Sequence, residues 1–343
     1  MLGYRVSQAL GVAARLAIAD FLRDGPLGVD ELARLAGVKP DPLARVLRLL
    51  TGEGVFEEVA PDRFALTPLA EELQAGHLRQ LAAQDTDATS WTAWGRLTNA
   101  VRTGKPAFTS AHGTDFASYL GGRPEVAKGF EAVAAEDRIC SAAAIAEAYP
   151  IPHHALVVDV GSSDDDLLLH LVLSHDSIQG VAFRAPEKLD PDRPSVAVLS
   201  LPLKPDVEGN LSFPGMRHLT ETGRYRLVIG DLDEDAIPEG GTHYVLNRIL
   251  QDRSDEACLA LLQRCRRAMT PSARLLVVDR VLPPRNEAGD ALLADLEGLV
   301  MGGSRVRREE DYRRLLGAAE LEPTRTLFVK GGVGLIEAQR QGA

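Results

Sequence analysis

The residues with the clearest potential for chemistry lie in one loop, 161–166, where a glycine and two serines lead into three consecutive aspartates. An apolar run at 156–160 precedes the loop and a leucine-rich run at 167–171 follows it, which predicts the first strand, loop and helix of a parallel α/β sheet. Ligands of such sheets bind outside the carboxyl ends of the strands, so this loop should face the main crevice. A nucleotide-binding loop would be rich in glycine, because small residues let the backbone approach the ligand. This loop keeps one glycine.

Asp164, Asp165 and Asp166 are also candidate ligands for Mg²⁺ or Ca²⁺, which prefer carboxylate oxygens. Adjacent side chains of one turn rarely converge on an ion without further ligands, and a helix N-terminus favours acidic residues through its dipole. His153 and His154, just before the predicted strand, have no third ligand in sight and are typical of a solvated loop. The sequence therefore predicts no metal site.

The composition is that of an ordinary soluble globular protein. Its 343 residues, 45% hydrophobic and 25% charged, suffice for about two domains. A net charge of −11 argues against general binding of nucleic acid or of anionic membranes. No apolar run approaches the ~18 residues of a membrane span and no signal peptide is evident, so we expect a cytoplasmic protein. Cys140, Cys258 and Cys265 lack metal-ligand spacing and are typical of reduced thiols.

The N-terminal part of the chain predicts a winged-helix arrangement. Its elements are a helix at 4–23, shorter helices at 29–38 and 42–51, and a hairpin of strands 56–59 and 63–66. DNA recognition would require a basic second helix and a basic wing. The second helix offers Arg45 and Arg48, but the wing carries Glu57, Glu58 and Asp62. The pattern therefore favours a dimerisation or lid module over a DNA-binding one.

The rest of the chain predicts helices followed by a doubly wound sheet. Residues 69–150 are mostly helical and rich in alanine, which suits close helix packing between two subunits. After the strand at 156–160, further strands are predicted at 179–184, 226–231, 242–247, 274–279, 326–329 and 333–338, and helices at 254–269, 287–301 and 308–319. The proline-rich passage at 186–215 leaves little room for a helix. Strands that alternate with helices and end in a hairpin-like pair indicate an α/β fold.

In this order of elements the chain resembles the small-molecule O-methyltransferases of natural-product pathways, which include the caffeic-acid, acetylserotonin and bacterial anthracycline-tailoring types. The best-matched pieces are 104–108, 157–161, 229–231, 250–256 and 275–283. The resemblance implies a Rossmann-like class I methyltransferase sheet for S-adenosylmethionine (SAM), preceded by an α-helical winged-helix domain through which the chain forms a homodimer. The domain boundaries that we predict are 1–100 for dimerisation, 101–150 for a helical linker with substrate-pocket helices, and 151–343 for the methyltransferase-type domain.

The chain departs from this family where the cofactor would bind. The resemblance implies glycines at Ser163 and Asp165, and an acidic residue for the ribose hydroxyls where this chain has Arg184, a cation that only donates. Adjacent carboxylates in the loop would also crowd and over-acidify the pocket. Asp231, beside the adenine in the family, is retained. The cofactor positions implied by the resemblance are Asp159, Gly161, Ser163, Asp165, Arg184 and Asp231.

The catalytic positions depart in the same way. In the family a histidine takes the proton from the substrate hydroxyl, and here Gln251 stands in its place, which cannot act as a general base near neutral pH. Asp279 stands for one of two flanking carboxylates, and Val306 occupies the place of the other. The candidate catalytic residues are Gln251, Asp252 and Asp279, and the candidate substrate-binding residues are His112, Phe116, Arg280, Met301 and Arg305.

From these departures we expect no cofactor, with SAM as the open alternative. The expected function is a SAM-independent step, such as cyclisation, rearrangement, elimination or hydration, on an aromatic or polyketide-type small molecule in a largely apolar cavity. Three alternatives remain open. These are an O-methyltransferase with an unusual cofactor loop, a non-catalytic partner of an active homologue, and a winged-helix regulator that responds to a small ligand.

Overall fold

The computed structural model describes residues 3–185, 219 and 222–342, so the proline-rich passage at 186–215 lies outside the described residues. The chain divides into two compact units. One runs as far as Glu136 and includes Val300–Gly302, and the other comprises Asp137–Leu299 and the residues from Gly303 onward. The three domain boundaries predicted from the sequence stay predictions.

The first unit begins with the predicted winged helix. Its elements are α1 (Gly3–Arg15), α2 (Ile18–Phe21), β1 (Leu27–Gly28), α3 (Val29–Ala36), α4 (Pro40–Gly52), β2 (Phe56–Ala60) and β3 (Arg63–Leu66). The three strands form an antiparallel sheet in the order β1-β3-β2. One helix was predicted over 4–23, but the chain breaks at Ala17, whose φ of 53° is left-handed. Leu32, Leu47 and Phe64 are fully buried in its core, because the apolar faces of α3 and α4 close over the wing.

Short helices follow the wing. They are α5 (Pro68–Glu71), α6 (His77–Asp85), α7 (Ala88–Trp94), α8 (Leu97–Thr103), α9 (Ala107–His112), α10 (Phe116–Gly121) and the long α11 (Pro124–Ala148). Aspartates begin two of them: the side chain of Asp87 accepts from the amide of Thr89 at 2.6 Å, and that of Asp115 from the amide of Ser118 at 2.9 Å. None of the helices that the structure describes is long and apolar enough to cross a bilayer.

The second unit is a mixed sheet with helices on both faces. Its elements are β4 (Leu156–Val160), α12 (Asp166–Ser174), β5 (Gln179–Arg184), β6 (Tyr225–Ile229), β7 (His243–Asn247), α13 (Asp255–Ala268), β8 (Arg274–Leu282), α14 (Asp290–Met301), β9 (Arg307–Arg308), α15 (Glu309–Ala318), β10 (Leu321–Val329) and β11 (Val333–Arg340). The strand order is β10-β11-β8-β7-β4-β5-β6, and β9 pairs with β8. Strands β4 to β8 pair in parallel with one another, and β11 is antiparallel to β8 and β10.

The strand order locates the crevice of this unit. From β4 the chain proceeds outward to β5 and β6, and then returns to the other side of β4 as β7. The connections on the two sides of β4 therefore diverge at the carboxyl ends of β4 and β7, which is the topological switch point where ligands of such sheets bind. The buried side chains of Val158 and Tyr244 hold these two strands in the core.

Strand β10 is longer than the predicted 326–329, because it begins at Leu321. Pro323 conceals this start in the sequence, since proline is rare inside strands. The structure accommodates it at the edge of the sheet, where the pairing with β11 shifts register between Pro323 and Arg325.

Candidate functional site

A cavity of about 470 Å³ opens at the switch point of the second unit. It receives residues from the loops after three parallel strands, namely β4, β6 and β7. The residues that line it are Ser163, Leu232, Asp233, Arg248, Ile249, Asp252, Arg253, Ser254 and Ala257. Its volume falls within the range of about 300–1,000 Å³ that is usual for small-molecule sites. The cavity is therefore the candidate ligand site of this unit.

Gly161 shapes the loop that enters this cavity. Its φ is 77°, and a Cβ at this position would lie 2.4 Å from Cδ1 of Leu232. Glycine adopts such backbone angles without strain, whereas other residues rarely do. Gly161 is thus required by the turn and by the close approach of Leu232, whatever the ligand is.

Arg184, at the end of β5, is buried in a network of ion pairs. Its guanidinium donates to Oδ2 of Asp159 at 2.9 Å and to Oδ1 of Asp165 at 2.5 Å. It also donates to the backbone carbonyls of Asp159, at 3.2 Å, and of Asp164, at 3.1 Å. The Tyr225 hydroxyl donates to the second oxygen of Asp165 at 2.8 Å. The guanidinium is therefore held by the loop after β4 and by the strand that precedes this loop.

Burial and charge work against each other in this network. Burial raises the pKa of Asp159 above its ordinary value, while the charge of Arg184 and a hydrogen bond from Ser162 oppose the rise. Burial also disfavours the charged form of Arg184, but Asp159 and Asp165 offset this, and the pKa of Arg184 lies above its ordinary value. The pKa of Tyr225 is raised by burial and by Asp165, so its hydroxyl remains a donor. Arg184 is consequently a permanent cation whose partners are supplied by the protein.

The three carboxylates of the loop, which were predicted to over-acidify the pocket, each have a cationic partner. Arg184 pairs with Asp165, and Nε of Arg138 lies 3.2 Å from Asp164 and 3.1 Å from Asp166. The two departures at positions 165 and 184 are also coupled. Asp165 stands where the family has a glycine, and it binds the guanidinium of Arg184, which stands where the family has an acidic residue. No spacing in the sequence links Arg138 or Tyr225 to the loop, so their contacts with its carboxylates could not be predicted.

Asp279, on β8, supports the turn that carries Gln251 and Asp252. Its Oδ2 accepts from the backbone amide of Gln251 at 3.2 Å, and its Oδ1 accepts from the backbone amide of Arg280 at 3.1 Å. The side chain is buried, and burial raises its pKa to about 7 despite a hydrogen bond from Tyr312. Asp279 thus changes charge near neutral pH while it holds the turn in place.

The raised pKa of Asp279 predicts a pH-dependent stability. A carboxyl group with a higher pKa in the folded chain contributes stability that is complete below the unfolded pKa and is lost as pH rises through the folded pKa. Between pH 4 and pH 8 we expect the free energy of unfolding of the wild type to fall by on the order of 3 kcal/mol more than that of Asp279→Asn. Urea unfolding at several pH values measures this difference. Parallel curves would contradict it, and Asp41→Asn, at an exposed carboxylate, is the control.

Arg307, on β9, fixes the same turn from the other side. Its guanidinium donates to the backbone carbonyls of Leu250, at 2.5 Å, and of Arg253, at 2.6 Å. It also donates to Oδ1 of Asp255, at 3.1 Å through Nε and 3.0 Å through Nη2. Arg307 is 3% exposed, so its charge is compensated by these protein oxygens and not by water. The sequence pattern indicated Arg305 and not Arg307. Arg305 is exposed, and its backbone amide donates to the carbonyl of Gln251 at 3.0 Å.

Two arginines that line the cavity are held by acidic residues. Arg253 contacts both carboxylate oxygens of Asp233, at 2.6 and 3.3 Å. Arg248 donates to Oδ2 of Asp137, on α11, at 2.9 Å. The sequence pattern predicted no role for Arg248, and its left-handed φ of 56° is evident only in the structure.

The predicted site residues are distributed over both units. Gln251, Asp252, Asp279, Arg280 and Arg305, together with the six predicted cofactor positions, belong to the second unit, whereas His112, Phe116 and Met301 belong to the first. In the first unit, Phe108 stacks edge-on to Phe116 at 5.1 Å and lies 4.3 Å from the His112 ring. Nε2 of His112 donates to the carbonyl of Thr89 at 2.9 Å. Asp231 is exposed, and one of its carboxylate oxygens accepts from the amide of Asp233 at 2.6 Å.

The chain is similar to known bacterial enzymes along nearly its whole length. The family models for an O-methyltransferase dimerisation domain and an O-methyltransferase domain match residues 1–75 and 214–321. A phenazine O-methyltransferase of Lysobacter antibioticus is 32% identical over 98% of this chain and 93% of the relative. The O-demethylpuromycin-O-methyltransferase of Streptomyces alboniger is 34% identical over 98% of this chain and 86% of the relative. Both proteins are named as O-methyltransferases.

The structural comparison overturns the expectation that the chain has no cofactor. A methyltransferase of calicheamicin biosynthesis in its S-adenosylhomocysteine (SAH)-bound form has 29% sequence identity and a TM-score of 0.79, and the match covers 99% of this chain and 95% of that one. A relative this similar holds the product of SAM, so the comparison points to SAM use. The expectation failed because it treated Asp165 and Arg184 as two independent losses, whereas the structure pairs them.

Proposed function

Because the chain belongs to the O-methyltransferase family of bacterial natural-product pathways, we propose that it transfers a methyl group from SAM to a hydroxyl group of an aromatic or polyketide-type small molecule. The observation that carries the proposal is the cavity at the switch point of the second unit, which receives the loops after β4, β6 and β7. Relatives named for aromatic acceptors, such as phenazine and O-demethylpuromycin, support the class of acceptor.

The residues that line the cavity fit such a cofactor, although not through the contact that the resemblance implies. Ser163, Asp233 and Asp252 offer oxygen acceptors, and these are the residues that would hold hydroxyl and ammonium groups. Arg184 offers no acceptor, and its donors are engaged by Asp159 and Asp165. When bound, SAM supplies a methyl group on a cationic sulfur that is open to attack by an oxygen nucleophile.

The turn around Gln251 determines what the protein contributes to the reaction. Gln251 neither gains nor loses a proton near neutral pH, so it orients an acceptor through hydrogen bonds and does not deprotonate it. The oxygens of Asp279 are engaged by the amides of Gln251 and Arg280, which makes Asp279 a support for the turn. With neither Gln251 nor Asp279 as the base, the acceptor ionises by itself, and orientation in the cavity supplies the remaining rate enhancement. This favours acidic phenols as substrates.

The pH dependence of the rate should follow the acceptor. For two phenols that differ by one pKa unit, we expect the inflection of kcat/KM to shift by about one pH unit between them. Gln251→Ala should lower kcat/KM by about tenfold without moving either inflection, because it removes an orienting hydrogen bond. Steady-state rates of SAH formation between pH 5 and pH 9 measure both effects. An inflection fixed near pH 7 for both acceptors would instead identify Asp279 as the base.

Titration calorimetry with SAH and methyl transfer from ¹⁴C-methyl-labelled SAM to a panel of phenolic acceptors test the proposal together. We expect micromolar binding of SAH and label in the organic product. The matched control is Arg45→Met, at an exposed ion pair on α4, which should leave both results unchanged. A protein that binds SAH but labels no acceptor, alone or with a homologue, would be a non-catalytic partner. A protein that does neither would contradict the proposal.

A second candidate function is a cyclisation, rearrangement, elimination or hydration in the same cavity. One observation favours it, namely that a glutamine stands where the family places its base. The products separate the two candidates. Methyl transfer forms one SAH for each acceptor consumed, whereas the second candidate consumes the acceptor without forming SAH.

We also propose that the protein works as a homodimer through its N-terminal region. The match of residues 1–75 to a dimerisation domain supports this, as do exposed apolar side chains of the first unit such as Tyr4, Leu69 and Val101. Sedimentation of the full chain would give the mass of two copies. A single copy at micromolar concentration would contradict this proposal.

A further inference from the structure

Two arginines at the carboxyl ends of neighbouring strands converge on one acidic residue. Arg248 follows β7 and Arg280 lies on β8, and an Nη2 atom of each approaches Oδ2 of Asp137, at 2.9 and 3.7 Å. The group therefore contains two cations and one anion. The relative exposures of its three side chains lie between 24% and 43%, so a ligand can reach them.

Most donors of the two guanidinium groups have no acceptor among the residues that the structure describes. The Nη2 atom of Arg248 donates to Asp137 and to the Ser141 hydroxyl, at 2.9 and 3.0 Å. Among the residues that the structure describes, neither its Nε nor its Nη1 has a recorded acceptor, and the Arg280 guanidinium forms no recorded hydrogen bond. A guanidinium group offers five N–H donors in a planar fork that matches the two oxygens of a carboxylate. The surplus charge and the vacant donors both call for an anionic, planar partner.

The backbone holds Arg248 beside the cavity at some cost. Its φ of 56° is left-handed, a conformation that is strained for a non-glycine residue. The amide of Arg248 is anchored to the carbonyl of Val278 at 2.8 Å, and its side chain lines the cavity. This arrangement positions a cation at the rim of the candidate ligand site.

We infer that Arg248, which lines this cavity, and Arg280, which meets Arg248 at Asp137, together bind the carboxylate group of a ligand. The inference deepens the proposed function, because it specifies the chemistry of the ligand. The carboxylate belongs either to the acceptor, which is then an aromatic carboxylic acid, or to the amino-acid part of the cofactor. Both sources present the same planar anion to the arginine pair, and the choice of probes separates them.

Titration calorimetry with two matched pairs of probes tests the inference. For the acceptor, the pair is 1-hydroxy-2-naphthoate and its carboxamide, and for the cofactor it is SAM and decarboxylated SAM. The wild type should bind the carboxylate-bearing member of one pair at least tenfold more tightly than its partner. Arg248→Met and Arg280→Met should each weaken binding of that member by about 10- to 100-fold and leave the carboxylate-free member unaffected. Arg285→Met, at an exposed arginine after β8, should change nothing.

If the variants lose affinity only for the naphthoate, the bound carboxylate belongs to the acceptor. If they lose affinity only for SAM, it belongs to the cofactor. Equal losses for both members of a pair, no loss in either variant, or no preference for carboxylates in the wild type would overturn the inference. If Arg248→Met does not fold, Arg280→Met decides, because its guanidinium forms no recorded hydrogen bond with the described residues. The wild type could bind SAH and methylate acceptors while both variants bind the carboxylate probes as tightly as the wild type does. This result would refute the inference and leave the proposed function intact.

Discussion

Replacement of Arg184 by methionine is expected to lower the free energy of unfolding by about 3–5 kcal/mol, because it leaves buried carboxylates without their cation. Arg184 is 4% exposed, and its guanidinium contacts carboxylate oxygens of both Asp159 and Asp165. Methionine fills much of the same volume, so lost charge and lost hydrogen bonds dominate the effect. Urea unfolding followed by circular dichroism measures it. Since small proteins are stable by only about 5–15 kcal/mol, this one substitution removes a large share of the total.

Two further variants separate charge from packing. In Arg184→Met with Asp159→Asn and Asp165→Asn, no buried charge of the network remains unpaired, and we expect most of the lost stability to return. In Arg184→Met alone, the loss should be smaller at pH 5 than at pH 8, because protonation of Asp159, whose pKa is already raised by burial, removes the unpaired charge. Arg45→Met breaks an exposed ion pair and should cost less than about 1 kcal/mol. A triple variant no more stable than the single one would show that shape, and not charge, governs this region.

The second large effect is expected at Arg307, which we interpret as a positioning residue. Arg307→Met should reduce the free energy of unfolding by about 2–4 kcal/mol, because the buried carbonyl of Leu250 and the partly buried carbonyl of Arg253 lose a charged donor. Movement of the turn that carries Gln251 by about 1 Å should also reduce methyl transfer by about 100-fold. The reduction should fall on kcat while SAH binding stays within a few-fold of the wild type.

Three comparisons make the Arg307 prediction specific. Arg307→Lys keeps the charge but cannot reach two carbonyls and Asp255 together, so it should recover stability more than rate. Addition of guanidinium ions at low concentration to Arg307→Ala should restore part of the rate, which a purely structural defect would not allow. Arg313→Met breaks an exposed pair with Glu309 on the same face of α15 and should leave both quantities near the wild type. Equal losses of rate for the lysine and methionine variants, without rescue, would contradict the positioning role.

The cofactor expectation failed for a reason that the structure makes plain. Arg184 and Asp165 each depart from the family pattern, and considered singly each would weaken a cofactor site. The structure places their side chains 2.5 Å apart, so each supplies the partner that the other needs. Substitutions that compensate each other in this way carry less information about lost function than the same number of independent ones.

The sequence by itself determined the order of the elements and the character of both units. Apolar periodicity and turn residues are local signals, so the strand at 156–160, the helix after Ser254 and the winged helix could be predicted from neighbouring residues. The local signals were incomplete where the backbone departs from residue preference, as at Ala17 and Pro323.

Only the tertiary structure decided which side chains meet in the site. Arg184 contacts a carboxylate 19 residues away, Arg307 holds carbonyls 54 and 57 residues away, and Arg248 reaches a residue 111 positions earlier. Such pairs depend on which strands lie side by side and on where each loop leaves the sheet, and neither is encoded within a short stretch of chain. The residue types of the site were therefore visible in the sequence, whereas their pairing, and with it the charge of the site, arises from packing.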